Sequence, residues 1–403
     1  MIKIYNIFVF LIFSFSAFSQ IQIDADFENG NVEIVEIIDS SNTITIIPSL
    51  ENEVNTTRCW FFFRVYNFDK SKPLTVNINY EKSVQSPNNP VYSYNQKDWT
   101  KVTAYQENMY KSFSGIFTED TVFFATGFPY TYSDLNIYIE SIKNKQNVDL
   151  SVLTVSESGL NVPKITISDK SQKTSKNVVW IIARQHAFEA HSNFVVEGIV
   201  NYLISPDKEF KKLKKSSDIH IVPMMDVDNV FLGASGRMQT PIDFNRDWND
   251  TIHWNAVETV TEQIAQSIDE NIYSMFFDIH STYPGGSSQL YSYFDIYMKS
   301  PESDNMNQFW NFYQEKANFK PIKLSGTEKV KGYVWADQFS GNRTCPDSTE
   351  FCFRTQDFSL TLECEWNKRP DGEQWTIESL RKAGEDIGYA ICKYLLEKEK
   401  LTD

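Results

Sequence analysis

Between residues 20 and about 145 the apolar residues come in short runs, several alternating with polar ones: NVEIVEII, TITII, CWFFFRVYNF, LTVNINY and TVFFATG. Polar turns containing Asn, Asp, Ser or Pro separate them, and helical spacing is hard to find. Runs of this length predict strands of an antiparallel β-sandwich. Past about 150 the rhythm changes. NVVWIIA (177–183) predicts a buried strand, after which Phe194, Val195, Ile199, Val200 and Leu203 share one side of a helix. DIHIVPMM (218–225) predicts the next strand, Val257, Val260, Ile264 and Ile268 stripe a second helix, and SMFFDIH (274–280) predicts another buried strand. FSLTLECEW (358–366) is the last strand, before a helix from about Thr376 that turns Ile377, Leu380, Ile387 and Ile391 inward. Strands alternating with helices predict an α/β domain, a mixed sheet with helices on both faces, behind the all-β sandwich.

The polar residues gain meaning from that layout. In RQHAFEAH (184–191), His186 and Glu189 lie three apart, just past the carboxyl end of a predicted strand. Open α/β sheets place their ligand sites there. His191 is five residues from His186, so the stretch is not the HExxH pattern. Asp278 and His280 emerge at the end of a second buried strand. Two neutral imidazoles and one carboxylate are the ligand set of a catalytic zinc. RMQTPIDFNRDW (237–248) brings Arg237, Asp243, Asn245 and Arg246 close to a strand end, and guanidinium suits clamping a carboxylate or steadying an oxyanion. Glu363 and Glu365 break the alternation of the last strand. A carboxylate there is costly unless it is paired or functional.

Composition narrows the partners. The chain has 403 residues, 41% apolar and 15% aromatic, which suits an ordinary globular protein of about two domains. A net charge of -15 with no basic patch argues against nucleic acid, and KEFKKLKK (208–215) reads as a solvated helix end. The first 19 residues join Lys3 to an apolar stretch ending Ala17-Phe18-Ser19. This predicts a signal peptide cleaved before Gln20, an exported (periplasmic or secreted) protein, and no membrane span in the mature chain. Among five cysteines no CxxC occurs, so a zinc–cysteine site is not expected, whereas Cys345 and Cys352 bracket a short loop that a disulfide could close.

Together these residues resemble the carboxypeptidase A superfamily of zinc metallocarboxypeptidases, in its cytosolic-carboxypeptidase-like branch. RQHAFE resembles Arg-x-His-Pro-Gly-Glu, VPMMDVDNV resembles Val-Pro-x-x-Asn-Pro-Asp-Gly-Val, and IDFNRDW resembles Asp-Leu-Asn-Arg-x-Trp. FDIHS and LTLE resemble the third-ligand motif and the catalytic strand. FENGNVEIVEI, CWFFFRV and VFFATGFPYTYSDL look like that branch's β-sandwich. The resemblance implies a sandwich over 20–147, a catalytic domain over 148–403, and one Zn2+ held by His186, Glu189 and His280. It implies Asp243 orienting a ligand histidine, and Asn245 and Arg246 holding the C-terminal carboxylate of a peptide or protein substrate. Arg237 would stabilise the oxyanion, and Glu363 would take a proton from the attacking water and pass it to the leaving amine. The chain departs from the pattern at Ala187-Phe188 in place of Pro-Gly, at Asp226-Val227-Asp228-Asn229, and in an Arg237 one residue out of spacing.

Two other readings stay open at this point: an amidase cutting γ-glutamyl bonds in cell-wall peptide with the same zinc site, and a binding protein with a vestigial site. Arg343 and Arg354, between the third ligand and the base, are candidates for a pocket favouring C-terminal glutamate, or else surface arginines. His191 is expected on a solvated helix face, His220 as a satisfied strand histidine, and His253 outside any metal site. The aromatic cluster FPYTYSDLNIY is expected to pack a domain interface.

Overall fold

The computed structural model describes residues 20–402 except 51–57, 80–88, 104, 108–109, 170–176, 207–212, 214–215, 238, 249–250, 271, 282–290, 294–301, 318–356, 365, 367–368 and 370–371. The expected signal peptide, the Cys345–Cys352 pair, Arg343, Arg354 and Glu365 therefore lie outside the described residues. Cys59, Cys364 and Cys392 are buried.

The first half builds strands β1 (Gln22–Asp24), β2 (Glu33–Ile38), β3 (Thr43–Ile47), β4 (Phe62–Tyr66), β5 (Leu74–Asn79), β6 (Val91–Ser93), β7 (Thr100–Lys101), β8 (Tyr105–Glu107), β9 (Tyr110–Gly115) and β10 (Thr121–Ala125). They form two five-stranded sheets, ordered β1-β4-β10-β6-β7 and β2-β3-β5-β9-β8. In β5 the side chains alternate between buried and half-buried, and Leu74, Val76 and Ile78 join Ile44, Ile46, Phe63, Phe113 and Phe124 in the core. One pairing departs from the antiparallel expectation: β3 and β5 run parallel, because β4 between them in sequence crosses to the other sheet.

Helix α1 (Tyr132–Ile142) follows, an element the apolar pattern does not predict. Only Leu135 and Ile142 of it are buried, so it carries almost no stripe. Its readable signal is the capping box, in which Thr131 and Asp134 satisfy each other's backbone N–H groups.

The second half is one seven-stranded mixed sheet. Its strands are β11 (Val148–Val155), β12 (Asn161–Ile167), β13 (Asn177–Ala183), β14 (Ser217–Val222), β15 (Tyr273–Ser281), β16 (Tyr291–Tyr293) and β17 (Phe358–Cys364), in the order β11-β12-β14-β13-β15-β17-β16. The central β14, β13, β15 and β17 run parallel, and β11, β12 and β16 add antiparallel edges. Every residue of β13 is buried, as a strand covered on both faces requires. The helices are α2 (His191–Leu203), α3 (Val227–Leu232), α4 (Asn255–Asp269), α5 (Glu302–Lys316) and α6 (Ile377–Thr402). The predicted stripes face inward: Val257, Val260 and Ile264 in α4, and Leu380, Ile387 and Ile391 in α6, are buried. No helix among the described residues is long and apolar enough to cross a membrane.

The sandwich docks on the α/β half rather than hanging from it. Trp60, Phe62, Phe123 and Phe128 belong to the same apolar core as Trp180, Phe188 and Trp366. The Asn29 side-chain amide donates to the Val230 carbonyl at 2.7 Å, and that of Asn31 to Gly233 at 2.9 Å. These amides add sandwich-side donors to carbonyls at the end of α3, where Val230 also accepts from the Gly233 N–H at 3.2 Å.

Helices α2 and α6 cross at glycines. A Cβ on Gly198 would lie 1.9 Å from the Arg381 carbonyl oxygen, and one on Gly384 1.9 Å from that of Val195. Backbone cannot give way as a side chain can. Gly198→Ala should therefore destabilise the fold by roughly 1–3 kcal/mol, although alanine favours an exposed helix by about 1 kcal/mol. Equilibrium denaturant unfolding reads the change, and an unchanged or higher midpoint would mean that the two helices are not in contact there.

Candidate metal centre

The chain leaves β13 into a tight loop that carries two of the expected ligands. Arg184 takes φ +61° to start the turn, the left-handed conformation that ordinarily favours glycine. Its fully buried guanidinium holds the loop: Nε donates to the Ala187 carbonyl at 2.7 Å and Nη1 to Asn193 Oδ1 at 2.6 Å. Burial pushes this arginine down to about 9, opposed by the nearby Glu189 and Asp226 carboxylates. The motif's Pro-Gly is thus not needed here. A Cβ on Gly236, itself at φ +63°, would lie 2.4 Å from the Ala187 backbone nitrogen, so a glycine on the facing loop makes room for Ala187.

His186, Glu189 and His280 come together as a buried group whose ligand atoms all lie within 4.8 Å of one another. The Glu189 carboxylate sits between the imidazoles, with Oε1 2.8 Å from His186 Nδ1 and Oε2 2.8 Å from His280 Nδ1. The Ser281 backbone N–H also donates to Oε2, at 3.0 Å. Burial alone would raise the Glu189 pKa, but His280 and His186 hold it down at about 2. Burial likewise disfavours the charged form of His280, yet Asp278 and Glu189 outweigh it and raise its pKa. Two imidazoles and a carboxylate converging by their metal-binding atoms fit a divalent cation, which would displace the protons they share. In a tetrahedral zinc site neighbouring ligand atoms sit about 3.3 Å apart, so small side-chain movements suffice.

The outer nitrogens are also occupied. His186 Nε2 lies 3.1 Å from Asp243 Oδ1 and 3.2 Å from Arg237 Nη1. Asp243 Oδ1 is anchored in turn by the Asn245 backbone N–H at 2.9 Å, where Asp243 caps a one-turn 3₁₀ helix, Phe244–Arg246. His280 Nε2 lies 2.5 Å from Asp278 Oδ2. Asp278 shares a strand face with His280, as residues two apart must.

Glu363 is the residue of β17 in register with His280 of β15. Its residue is half-buried, but carboxyl oxygen Oε2 is enclosed and has no hydrogen-bond partner among the described residues. Burial raises its carboxyl to about 8, with His280 pulling the other way. The site thus gathers His186, Glu189, His280, Asp243, Arg237 and Glu363, with Asn245 and Arg246 on the adjoining turn.

The minor histidines divide. His191 is not solvated: it is fully buried, its ring 4.3 Å from Trp366 and 5.6 Å from Phe128 of the sandwich side. The docked sandwich covers the helix start, which a helical wheel alone cannot show. His220 lies 3.2 Å from the Thr166 hydroxyl through Nδ1, and His253 pairs with buried Asp247 at 2.7 Å. Neither approaches the metal group. In the aromatic cluster, Phe128 and Tyr130 pack on α2, and the Tyr130 hydroxyl donates to Glu197 at 2.8 Å.

A His-Glu-His cluster at the carboxyl ends of parallel strands, with a carboxylate on the neighbouring strand, defines a metal-dependent hydrolase of the α/β type. The chain belongs to the zinc carboxypeptidase family: residues 135–368 match it, and residues 23–126 match the cytosolic carboxypeptidase N-terminal domain. It is 29% identical to cytosolic carboxypeptidase 6 of Caenorhabditis elegans, over 93% of this chain and 86% of that protein. It is also 29% identical to human cytosolic carboxypeptidase 6, over 64% of this chain and 56% of the human protein. The fold is shared with a metallo-carboxypeptidase from Burkholderia cenocepacia, with a TM-score of 0.76, 19% identity and coverage of 93% and 99% of the two chains. A metallo-carboxypeptidase from Pseudomonas aeruginosa gives a TM-score of 0.74 at 19% identity, over 93% and 100%. The protein is accordingly a zinc-dependent peptidase acting on C-terminal peptide bonds. The expectation of export is corrected by the same findings. The relatives are named cytosolic carboxypeptidases, which points away from an exported protein.

Removing His280 leaves Glu189 with one imidazole, so His280→Ala should abolish stoichiometric zinc binding. Metal analysis of the purified variant checks this, and full zinc content would remove His280 from the site.

Proposed function

We propose that the chain removes a C-terminal residue from an α-linked peptide, with zinc held by His186, Glu189 and His280 and Glu363 as general base. The observation that carries this reading is the register of Glu363 beside His280, which sets a largely enclosed carboxylate next to the ligand group. Zinc, when bound, supplies Lewis acidity that makes water nucleophilic at neutral pH and polarises the scissile carbonyl. Glu363 takes the proton of the attacking water and delivers it to the departing amine.

The turn Phe244–Arg246 gives the substrate its anchor. Arg246 receives the terminal carboxylate through its planar fork, assisted by Asn245. Asn245 Oδ1 is buried with no partner among the described residues, and the amide turned over would present its NH2 there to the incoming carboxylate. Asp243 keeps the proton of His186 on Nε2, leaving Nδ1 to face the metal. Arg237, beside His186, steadies the oxyanion as the carbonyl is attacked.

Turnover of a blocked dipeptide by the zinc-loaded protein tests the reading, with a γ-linked isomer as comparison. Preferred cleavage of the γ-linked bond would make the protein an amidase of the same chemistry. Glu363→Gln keeps the shape but cannot accept the proton, so kcat should fall by at least ~10²-fold with zinc retained. A smaller loss would place the base elsewhere.

The pH profile has a definite sign. A base works deprotonated, and burial raises Glu363 from 4.5 towards about 8, with a bound cation pulling back down. The acid limb of kcat/KM should therefore rise with pH at an apparent pKa between 4.5 and about 8. A limb at or below the lower value, in steady-state rates across pH, would show that the bound cation outweighs burial at the base.

A further inference from the structure

The His280 side of the centre holds a polar chain, Trp248–Gln185–Asp278, to which the motifs give no role. The indole Nε1 of Trp248 lies 2.8 Å from Gln185 Oε1, Gln185 Nε2 lies 3.0 Å from Asp278 Oδ2, and that same oxygen lies 2.5 Å from His280 Nε2. Trp248 is 5% exposed, His280 1%, and Gln185 and Asp278 0%. These bonds are therefore shielded from bulk water.

The direction of the whole chain follows from its far end. An indole N–H only donates, so the end of Gln185 that meets Trp248 must be its carbonyl oxygen. The amide NH2 then points at Asp278 and donates to Oδ2. A carboxylate oxygen accepts, so His280 Nε2 must carry the proton it donates there. Gln185 Nε2 and His280 Nε2 lie 3.4 Å apart as two donors converging on one acceptor. With one proton fixed on Nε2, the proton that His280 shares with Glu189 through Nδ1 is the one a cation would displace, and Nδ1 is the nitrogen left to bind it.

The opposite histidine is held in a parallel way. His186 Nε2 meets Asp243, and Asp243 is fixed by the Asn245 backbone N–H. Asp243 and Trp248 therefore bracket one six-residue segment, Asp243–Trp248, that reaches both ligand histidines. Buried Asp247 pins its end, accepting from the backbone N–H groups of His253 and Trp254, at 2.8 Å each.

We infer that Gln185 and Trp248 are positioning residues for the metal: through Asp278 they hold His280 in the tautomer and orientation that binds zinc. The inference rests on His186, Glu189 and His280 being the ligands, and it adds two residues that touch neither metal nor substrate. Groups in this position typically change metal affinity about 10–100-fold when removed.

The test is zinc affinity, measured by titrating the zinc-loaded protein with a chelator of known strength, together with the visible spectrum of the cobalt-substituted protein. Gln185→Met keeps length and removes both polar ends, and should weaken zinc about 10–100-fold and alter the cobalt spectrum. Trp248→Phe removes only the terminal donor, and should weaken zinc by a smaller factor in the same direction. Thermal unfolding of the metal-free variants separates positioning from damage. Weaker zinc with an unchanged metal-free midpoint supports the inference. Wild-type zinc affinity in both variants overturns it, as does a loss that tracks a lowered midpoint while the cobalt spectrum stays put. If Gln185→Met does not fold, Trp248→Phe decides by the same criteria. Retention of zinc by His280→Ala would instead bring down the ligand assignment itself, an outcome these two variants do not mimic.

Discussion

A carboxylate taken out of water is costly to hold, and Glu189 is one. Left alone, such a charge would protonate or pull the loop back towards solvent. Here two imidazoles and the Ser281 N–H compensate it, and they come from two different strand ends. The neighbouring elements keep those partners in place. Strand β15 must sit beside β13 for His280 to reach across, and Arg184 must brace the loop for His186 and Glu189 to face each other. A cation satisfies the same constraint more fully than shared protons do, so the pocket is organised around a positive charge before any substrate arrives.

The sandwich takes part in that organisation. Its Asn29 and Asn31 hold the end of α3, and its Cys59 N–H donates to Ser235 Oγ at 3.2 Å. Ser235 in turn accepts from the Phe188 N–H at 2.9 Å through its carbonyl, and Arg237 lies two residues further on. On the other side, Lys101 donates to the carbonyl of Trp366, three residues past Glu363, at 3.2 Å. The first half of the chain therefore touches the loop beside one ligand and the segment after the base. Rigid contacts of this kind matter because a small displacement of an aligned group costs rate steeply.

Much of this was readable beforehand, and the reason is periodicity. Buried strands such as NVVWIIA and FSLTLECEW announce themselves by composition, and a charged residue at the end of such a run has few reasons to be there but function. That logic placed His186, Glu189, His280 and Glu363 correctly in space relative to the sheet. It could not place Gln185, whose partners Asp278 and Trp248 lie 93 and 63 residues away. Glutamine and tryptophan are also ordinary core and surface residues, so neither stands out without its partner. His191 escaped for a related reason. Its burial depends on Phe128 and Trp366, contributed by two distant segments. Helix α1 and the edge strand β11 escaped because most of their side chains are half-buried or exposed, which leaves little apolar rhythm to read.

The departure at Ala187-Phe188 shows how a motif can change letters and keep its geometry. A Pro-Gly turn obtains its bend from residues of unusual backbone freedom or rigidity. This chain moves the positive φ to Arg184 and fixes the bend with that residue's own guanidinium. Room for the Ala187 backbone comes from Gly236 on the facing loop. Phe188, in the place of the motif's glycine, is fully buried, with its ring 6.2 Å from Trp366 and nearly parallel to it at 13°. The same ring lies 6.2 Å from His186 at 20°. The substitution thus converts a flexible position into an aromatic wall behind one ligand histidine. Arg184, Gly236 and Phe188 form one compensated set, and restoring glycine at 188 alone would remove the wall without supplying the proline that the original turn relied on.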